Sequence, residues 1–519
     1  MEKKLNLNEK MVVESIRKKP KDLEALNTLK RLILRSQTTV KNIPTTSELL
    51  KAYHKLVLKH KIKKDLNLEQ LLTKRAVRTL SGVTIITVLT KPFSCPGKCI
   101  YCPTENGMPK SYLSDEPAAN RALGLKFDPY EQVRLRIKAL EDNGHPTDKI
   151  ELIVKGGTWN AYPTSYQYWF ILRCFEACNE SKTNDLQKAQ IKNESARHRI
   201  IGLTLETRPD YINEKNIKIM RELGCTRVEM GVQTTDEKTL KKIQRGHDVK
   251  SVINATRLLK NSGFKVDYHL MPQLPGSTPA KDLKMMLEIF ADSAFRPDMI
   301  KIYPCTVIKN TQLYKWLKAG KYKPYSDRQL INILKKFKTQ VPRYARISRL
   351  IRDIPSHHIQ AGNKLTNLRQ VIQAEMTKEG LKCKCLRCRE VGHQLKTIAA
   401  PKLFIDKYKS SGGTEYFISF EDAKRSVVFA FCRLRICKNV IYPAFIRELH
   451  TYGHLVEIGK TEKGASQHKG LGVKLVKIAE QLAKKGGVKK LTVISGVGVR
   501  GYYKKLGYKL DNTYMVKNI

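Results

Sequence analysis

The sequence predicts an α/β protein in which an open partial barrel of six β/α units is joined to a smaller α/β domain. Two observations predict this: β-branched apolar runs alternate with amphipathic stretches between about residues 81 and 305, and short strands return from about residue 401. Such alternation implies a parallel sheet, and chemistry in folds of this kind collects at the carboxyl ends of the strands.

The first 80 residues precede the predicted sheet and differ from it in composition. They carry 20 Lys and Arg residues against 8 Asp and Glu residues, and apolar positions such as Leu26, Leu29 and Ile33 recur at helical spacing. This pattern predicts a basic helical domain, or an arm that folds on its partner. We expect four regions: 1–80 (basic, nucleic-acid binding), 81–340 (barrel), 341–400 (bridge) and 401–519 (second α/β domain).

Apolar runs mark the strands of both predicted sheets. The barrel strands are Val83–Leu89, Ile150–Val154, Ile200–Leu205, Arg227–Val232, Val266–Met271 and Met299–Tyr303. The strands of the second domain are Tyr416–Phe420, Val427–Arg433, Phe445–Tyr452 and Lys490–Ser495, with a helix at Gly470–Lys485.

The whole chain is strongly basic, with 97 Lys and Arg residues against 48 Asp and Glu residues and a formal net charge of +49. Such a charge indicates a polyanionic partner, nucleic acid first and an anionic membrane surface second. No run of 18 apolar residues and no basic amphipathic helix with aromatic anchors stands out, which disfavours a membrane. The start lacks the apolar run of a signal peptide, so we expect a cytoplasmic protein.

Three cysteines, Cys95, Cys99 and Cys102, follow the first predicted strand with the spacing Cys-x3-Cys-x2-Cys. Three thiolates leave one iron of a [4Fe-4S] cluster open, and that iron can chelate S-adenosylmethionine through its amino and carboxylate groups. A zinc site would want a fourth ligand nearby. The spacing, at the mouth of a predicted β/α barrel, resembles the radical S-adenosylmethionine superfamily.

Polar residues end several strands in the same layer. Gly156 and Gly157 end the second strand and resemble the glycine pair that binds the methionine amino group in that superfamily. The residues that follow the later strands are expected to line the same mouth and contact ligand: Glu206, Arg208, Gln233, His269 and Gln273.

A second motif, Gln467-x-x-Gly470-x-Gly472, opens the helix of the second domain. Its glycines allow close approach of the backbone, and the free N–H groups of a helix N-terminus suit a pyrophosphate. The motif resembles the acetyl-CoA loop of the GNAT acetyltransferase fold. The resemblance implies that Tyr503 faces the sulfur of acetyl-CoA.

Another cluster, Cys383, Cys385 and Cys388, puts three thiols within six residues and predicts a structural Zn²⁺ in the bridge. The candidates for a fourth ligand are His393, Cys432 and Cys437, and three free thiols are the alternative. The cysteines outside both clusters are expected to pack as small core residues: Cys174, Cys178, Cys225, Cys305, Cys432 and Cys437.

Arginines recur every three residues just before this cluster, at Arg343, Arg346, Arg349 and Arg352. They predict either a solvated face or a track for a phosphate backbone.

A radical S-adenosylmethionine domain joined to a GNAT domain strongly resembles the catalytic-subunit family of Elongator, including its single-chain prokaryotic forms. The resemblance rests on Cys95, Cys99 and Cys102 and on further segments: 149–158, 388–392, 447–450 and 494–503. It implies carboxymethylation of the wobble uridine of tRNA at carbon 5, with acetyl-CoA as carbon source, an external electron donor, and Cys99 and Tyr503 as catalytic residues.

By position, the same resemblance implies cofactor contacts in both halves of the chain. For acetyl-CoA these are Lys149, Glu448, Leu449, His450, Thr451, Gln467, Gly470, Leu471, Gly472, Val473 and Tyr503.

Two other hypotheses about the function remain open at this point. One is a protein lysine acetyltransferase with a structural iron–sulfur cluster, and the other is a non-catalytic tRNA-binding scaffold. The +49 charge disfavours a basic protein tail as substrate, because like charges repel. A homodimer and accessory subunits are both compatible with the sequence.

Overall fold

The computed structural model describes residues 5–35, 42–73, 82–391, 400–438, 440–452 and 470–519. Its first unit consists of the helices α1 (Leu7–Lys18), α2 (Leu23–Arg35), α3 (Thr46–Leu58) and α4 (Leu66–Leu72). Capping boxes begin α1 and α3, because the side chains of Asn6 and Thr45 accept hydrogen bonds from the third residue of each helix. These helices bury a core of their own, around Met11, Leu49 and Tyr53.

The middle of the chain alternates strands and helices. The strands are β1 (Thr84–Leu89), β2 (Lys149–Lys155), β3 (Arg199–Thr207), β4 (Arg227–Gln233), β5 (Lys265–Leu270), β6 (Met299–Ile302), β7 (Val307–Ile308), β8 (Arg346–Arg349) and β9 (Ile359–Ala361). The helices are α5 (Pro117–Gly124), α6 (Pro129–Glu141), α7 (Thr164–Asn179), α8 (Leu186–Asn193), α9 (Glu214–Glu222), α10 (Glu237–Lys242), α11 (Val249–Asn261), α12 (Pro279–Ala291), α13 (Gln312–Lys318), α14 (Asp327–Gln340), α15 (Leu368–Lys378) and α16 (Leu386–Arg389).

The predicted parallel sheet is confirmed, with one strand more than expected. Its order is β1-β2-β3-β4-β5-β6-β8, and every neighbouring pair is parallel. The seventh strand, β8, lies beyond residue 340, so the expected division between barrel and bridge is wrong: the first residues of the bridge belong to the barrel sheet. β7 and β9 form a separate two-stranded ribbon.

Each side chain of the arginine stripe has a polar partner within the protein, and Arg349 remains about half exposed. Arg346 forms an ion pair with Glu390, and Arg352 binds Glu116 at 2.9 Å. Arg349 pairs with Asp353 at 2.8 Å, and Arg343 donates to the carbonyl of residue 425 at 2.7 Å.

The second sheet is mixed and follows the order β10-β11-β12-β13-β14-β16-β15. Its elements are β10 (Lys402–Ser410), β11 (Gly413–Glu421), β12 (Val428–Ile436), β13 (Ala444–Thr451), α17 (Leu471–Lys485), β14 (Lys490–Val493), α18 (Arg500–Lys504), β15 (Lys509–Asp511) and β16 (Tyr514–Asn518). Only β13 and β14 are parallel, and they pair at two positions before they diverge. The divergence leaves a gap between the ends of these two strands.

The second sheet packs against the amino-terminal ends of the barrel strands. A Cβ on Gly496 would overlap Ile201 in the first half of β3, and one on Gly263, just before β5, would lie 2.7 Å from the ring of Phe445. Buried charges join the two units: Arg447 of β13 binds Asp298, just before β6, at 2.5 and 2.8 Å. None of the described helices combines the length and apolar character that a membrane crossing requires.

Candidate active site

The three cysteines of the first cluster lie in the loop that follows β1, at the carboxyl end of the barrel. The backbone of this loop is fixed by hydrogen bonds from Ile100 N to the carbonyl of Ile243 (3.2 Å) and from Leu313 N to the carbonyl of Ile100 (2.9 Å). A Cβ on Gly97 would lie 3.5 Å from the Sγ of Cys99 and 3.7 Å from that of Cys95. A side chain at this position would therefore touch two of the thiols.

Two guanidinium groups face this loop. Arg245 is buried and donates from Nη1 to the Sγ of Cys99 at 3.4 Å. Arg208, which the sequence placed at the mouth, is held by Asp210 at 2.8 and 2.9 Å, and its Nη1 lies 2.5 Å from where a Cβ on Gly97 would be. Three thiols next to buried positive charge suit an anionic iron–sulfur cluster, so the residues present fit the group.

The glycine pair after β2 allows neighbouring groups to approach the backbone closely. Both residues have positive φ, +132° at Gly156 and +100° at Gly157. A Cβ on Gly156 would overlap the hydroxyl of Thr90, whereas Gly157 lines the central cavity described below. Packing against Thr90 therefore explains the glycine at position 156, whereas Gly157 is accessible to a ligand.

The carboxyl ends of β2, β3 and β5 bring charged side chains together. Glu206 lies 3.2 Å from Lys155 and 3.4 Å from His269, and accepts a hydrogen bond from the hydroxyl of Tyr112 at 2.9 Å. Burial acts to raise the pKa of Glu206, but Lys155 and His269 outweigh it and hold that pKa well below its usual range. His269 also contacts Glu229 at 3.0 Å.

The two glutamines predicted at the mouth have different environments. Gln233 adopts a positive φ of 72° at an irregular point of β4 and lines the cavity. A non-glycine residue held there is strained, which is common at functional sites. Gln273 turns away instead, because its amide donates to the carbonyl of Tyr325 at 2.6 Å.

The barrel interior holds charges that the sequence reasoning missed. Glu229 of β4 is fully buried and ion-pairs with Lys155 and with Lys301, the latter at 2.5 Å. Burial lowers the pKa of Lys301 to about 8. Burial raises the pKa of Asp267, whose two carboxylate oxygens have no hydrogen-bond partner within the described residues. The sequence did contain a sign of this charged interior, because several otherwise apolar strands each have one charged residue in their middle.

The gap between β13 and β14 gathers the residues predicted to contact acetyl-CoA. Leu449, His450 and Tyr503 line the cavity there. The Glu448 side chain also lines it but is committed to Arg433 at 2.8 Å and Lys265 at 3.6 Å. Burial acts to raise the pKa of Glu448, but these cations outweigh it and lower it to about 2.

The amino-terminal end of α17 lies beside the end of β13. A Cβ on Gly472 would meet the hydroxyl of Tyr502 at 2.9 Å and that of Thr451 at 3.7 Å. Gly470 is the N-cap of α17, with a φ of +72°, and no atom of the described residues lies within 4 Å of where its Cβ would be. Leu471 and Val473 belong to the first turn. Gln467 lies outside the described residues, and Lys149, at the start of β2, does not line the cavity.

One cavity of about 610 Å³ extends between the two ends of the barrel. Its lining includes Tyr101 and Pro103 of the cysteine loop, Glu206 and Lys301 of the barrel interior, and His450 and Tyr503 of the second unit. The cavity therefore connects the cysteine loop with the part of the second unit that contains Tyr503.

The second cysteine cluster is also brought together. The Sγ atoms of Cys383, Cys385 and Cys388 all lie within 4.8 Å of one another, and the ammonium group of Lys338 is 3.8 Å from that of Cys388. Neither Cys432 nor Cys437 joins this group in the described part of the chain, and His393 lies outside it. The donor chemistry fits a thiolate-rich metal site.

Sequence comparison identifies similar families. The profile of the Radical SAM superfamily matches residues 92–289, and that of the Radical_SAM C-terminal domain matches residues 297–378. The second match includes β8, in agreement with its place in the barrel sheet.

Several named proteins are similar to this chain over most of its length. A tRNA uridine(34) acetyltransferase of Methanocaldococcus infernus is 48% identical, across 86% of this chain and 88% of that protein. Elongator complex protein 3 of Homo sapiens is 37% identical, across 85% of each. A solved structure of an archaeal Elp3 from Methanocaldococcus infernus, lacking residues 1–46, superposes with a TM-score of 0.76 at 43% identity, covering 85% of this chain and 100% of that one.

Proposed function

The chain belongs to the radical S-adenosylmethionine family that contains the tRNA uridine(34) acetyltransferases and Elongator complex protein 3, and on this premise we propose that it converts uridine 34 of tRNA to 5-carboxymethyluridine. Acetyl-CoA supplies the carbon atoms. Cys95, Cys99 and Cys102 would hold the cluster, which when bound would supply the electron for reductive cleavage of S-adenosylmethionine to a 5′-deoxyadenosyl radical.

The observation that carries this proposal is the shared cavity. Acyl transfer needs no radical, whereas formation of a carbon–carbon bond at uracil carbon 5 does. A protein that used its two halves separately would have no need to line one space with Tyr101 from one half and Tyr503 from the other. The cavity supports a single reaction. The 5′-deoxyadenosyl radical would take a hydrogen atom from the acetyl methyl group, and the carbon radical would add to uracil carbon 5. Loss of one electron to an external acceptor and of the carbon-5 proton, followed by hydrolysis of the thioester, would leave the carboxymethyl group and release CoA.

The chain's own residues have separate tasks in this scheme. Arg245 donates to Cys99 and balances negative charge at the cysteine loop. Gly157 and Gln233 lie where S-adenosylmethionine would contact the barrel mouth, and the first turn of α17 offers N–H groups to the pyrophosphate of acetyl-CoA. Tyr503, which is buried with its pKa raised well above the usual value, is placed to orient the thioester as a neutral hydroxyl.

The test is anaerobic reconstitution with iron, sulfide, a reductant, S-adenosylmethionine, acetyl-CoA and tRNA, read by mass spectrometry of nucleosides. Cys99→Ser should abolish 5′-deoxyadenosine and carboxymethyluridine but leave acetyl-CoA binding intact, because α17 lies in the other unit. With a deuterated acetyl methyl group, label should appear in 5′-deoxyadenosine. Modification by Cys99→Ser at the wild-type rate would refute radical chemistry.

A matched pair of variants tests the acyl half. Gly470→Glu should abolish acetyl-CoA binding by placing a carboxylate where the pyrophosphate sits. Gly470→Asn is the control, because asparagine tolerates the φ of +72° without adding charge. Equal binding by the two variants would contradict the assignment of this loop.

A further inference from the structure

A row of aromatic side chains lies on the outside of the barrel next to the cysteine loop. It consists of Phe93, Tyr162, Tyr166 and Trp169, called here the aromatic row. Ring centroids are 4.8 Å apart between Phe93 and Tyr162, 5.1 Å between Tyr162 and Tyr166, and 5.5 Å between Tyr166 and Trp169. The first two pairs are stacked, with interplanar angles of 28° and 22°.

Hydrogen bonds fix the middle of the row. The hydroxyl of Tyr162 donates to the carbonyl of Lys91 at 2.8 Å and lies 2.7 Å from the hydroxyl of Thr90. The hydroxyl of Tyr166 accepts from the backbone N–H of Lys91 at 3.1 Å. Little conformational entropy is therefore left to lose when something binds on these rings.

The two ends of the row remain open to solvent. Phe93 is 39% exposed and Trp169 is 42% exposed, although both are large apolar side chains. These two side chains are not needed to fill the core of the barrel, because the neighbouring Phe170 is fully buried and packs there. Phe93 and Trp169 are exposed and each contacts one of the two hydrogen-bonded tyrosines, which suits a binding surface.

The charge around the row indicates what binds there. The ammonium group of Lys91 lies 5.0 Å from the ring centroid of Tyr166, Lys98 is exposed on the adjoining loop, and the chain carries a net charge of +49. Unpaired nucleotides combine flat faces with negative charge, and aromatic rings flanked by cations are how proteins bind them.

We propose that the aromatic row is a stacking platform for unpaired bases of the RNA loop that contains the reacting uridine. This inference rests on the proposed function and adds where the loop is held. Phe93 is two residues before Cys95, so a base stacked there would put its neighbours at the mouth of the barrel.

The test measures dissociation constants for two RNA probes: a hairpin with a seven-nucleotide loop and a blunt duplex of the same stem sequence. Trp169→Ala should weaken hairpin binding by at least about fivefold, the effect of losing one stacked base, and leave duplex binding unchanged. The salt dependence of binding should keep its slope, because no phosphate contact is lost. Trp169→Phe should restore hairpin affinity.

Leu403→Ala is the matched control, since Leu403 is 43% exposed on the second sheet, away from the row. Wild-type affinity of Trp169→Ala for the hairpin, or an equal loss on the duplex, would overturn the platform. The platform would also be overturned if Trp169→Ala kept the wild-type affinity for RNA but slowed reduction of the cluster by an acidic electron-transfer protein. Nucleoside analysis separately tests the proposed function: a chain that stacks the hairpin but forms no carboxymethyluridine would refute that function and keep the platform.

Discussion

The buried ion pairs between barrel and second sheet make a quantitative prediction about Asp298. Its carboxylate is fully buried and accepts from Arg447 at 2.5 and 2.8 Å, from the N–H of Val266 at 2.9 Å, and lies 3.8 Å from Arg433. Asp298→Asn keeps the size of the side chain but removes its charge. Arg447 would then retain Glu415 at 2.9 Å as its only carboxylate partner in the described part of the chain.

Removing one partner of a buried ion pair costs about 3–5 kcal/mol, because the remaining charge is left uncompensated away from water. We expect a loss of that size in the free energy of unfolding at pH 7. Burial acts to raise the pKa of Asp298, but Arg447, Lys260 and Arg433 outweigh it and hold that pKa far below its usual range. The stabilisation is therefore complete above the ordinary aspartate pKa of about 4 and declines only as the pH falls below that value.

Urea denaturation followed by circular dichroism at several pH values measures this effect. The matched control is Asp511→Asn, whose partner Lys490 is 3.0 Å away with both side chains at least 40% exposed. An exposed pair contributes at most about 1 kcal/mol, so the control should change little. Equal effects of the two substitutions on the free energy of unfolding at pH 7 would refute the reasoning.

Two further predictions concern metal and RNA. Aerobically purified protein should contain about one zinc per chain, and Cys385→Ser should lower both zinc content and melting temperature; zinc-free wild-type protein with an unchanged melting temperature would contradict this. Affinity for tRNA should fall on the order of 10³-fold between about 50 and 200 mM salt if roughly six phosphates are contacted, and deletion of residues 1–80 should weaken it further. Salt-independent binding would count against phosphate contacts.

The first six barrel strands were predictable because each is an apolar run flanked by a helix. The seventh, Arg346–Arg349, was not, because its short sequence Arg-Ile-Ser-Arg looks solvent-exposed. The ion pair of Arg346 with Glu390, 44 residues later, is what allows that arginine to be largely buried. A contact so distant in sequence leaves no local periodic signal.

The candidate site likewise has one part that the sequence predicted and one part that it did not. Motif spacing located Cys95, Cys99, Cys102 and the first turn of α17, because both motifs are short and follow a strand. The charged interior around Glu229 was missed, since each of its members is a single residue in a different strand and only the assembled sheet brings them together.

The two predicted parts of the site lie at opposite ends of the barrel strands. The cysteine loop lies at the carboxyl ends of the strands, whereas β13 packs against their amino ends. β2 has seven residues, so these ends are about 20 Å apart. No side chain spans that distance. Under the proposed function, the acetyl group would therefore have to move along the shared cavity, past Lys301 and Asp267, to reach the cysteine loop. The buried charges of the interior would then lie along the route of a substrate, in addition to any part they have in the stability of the barrel.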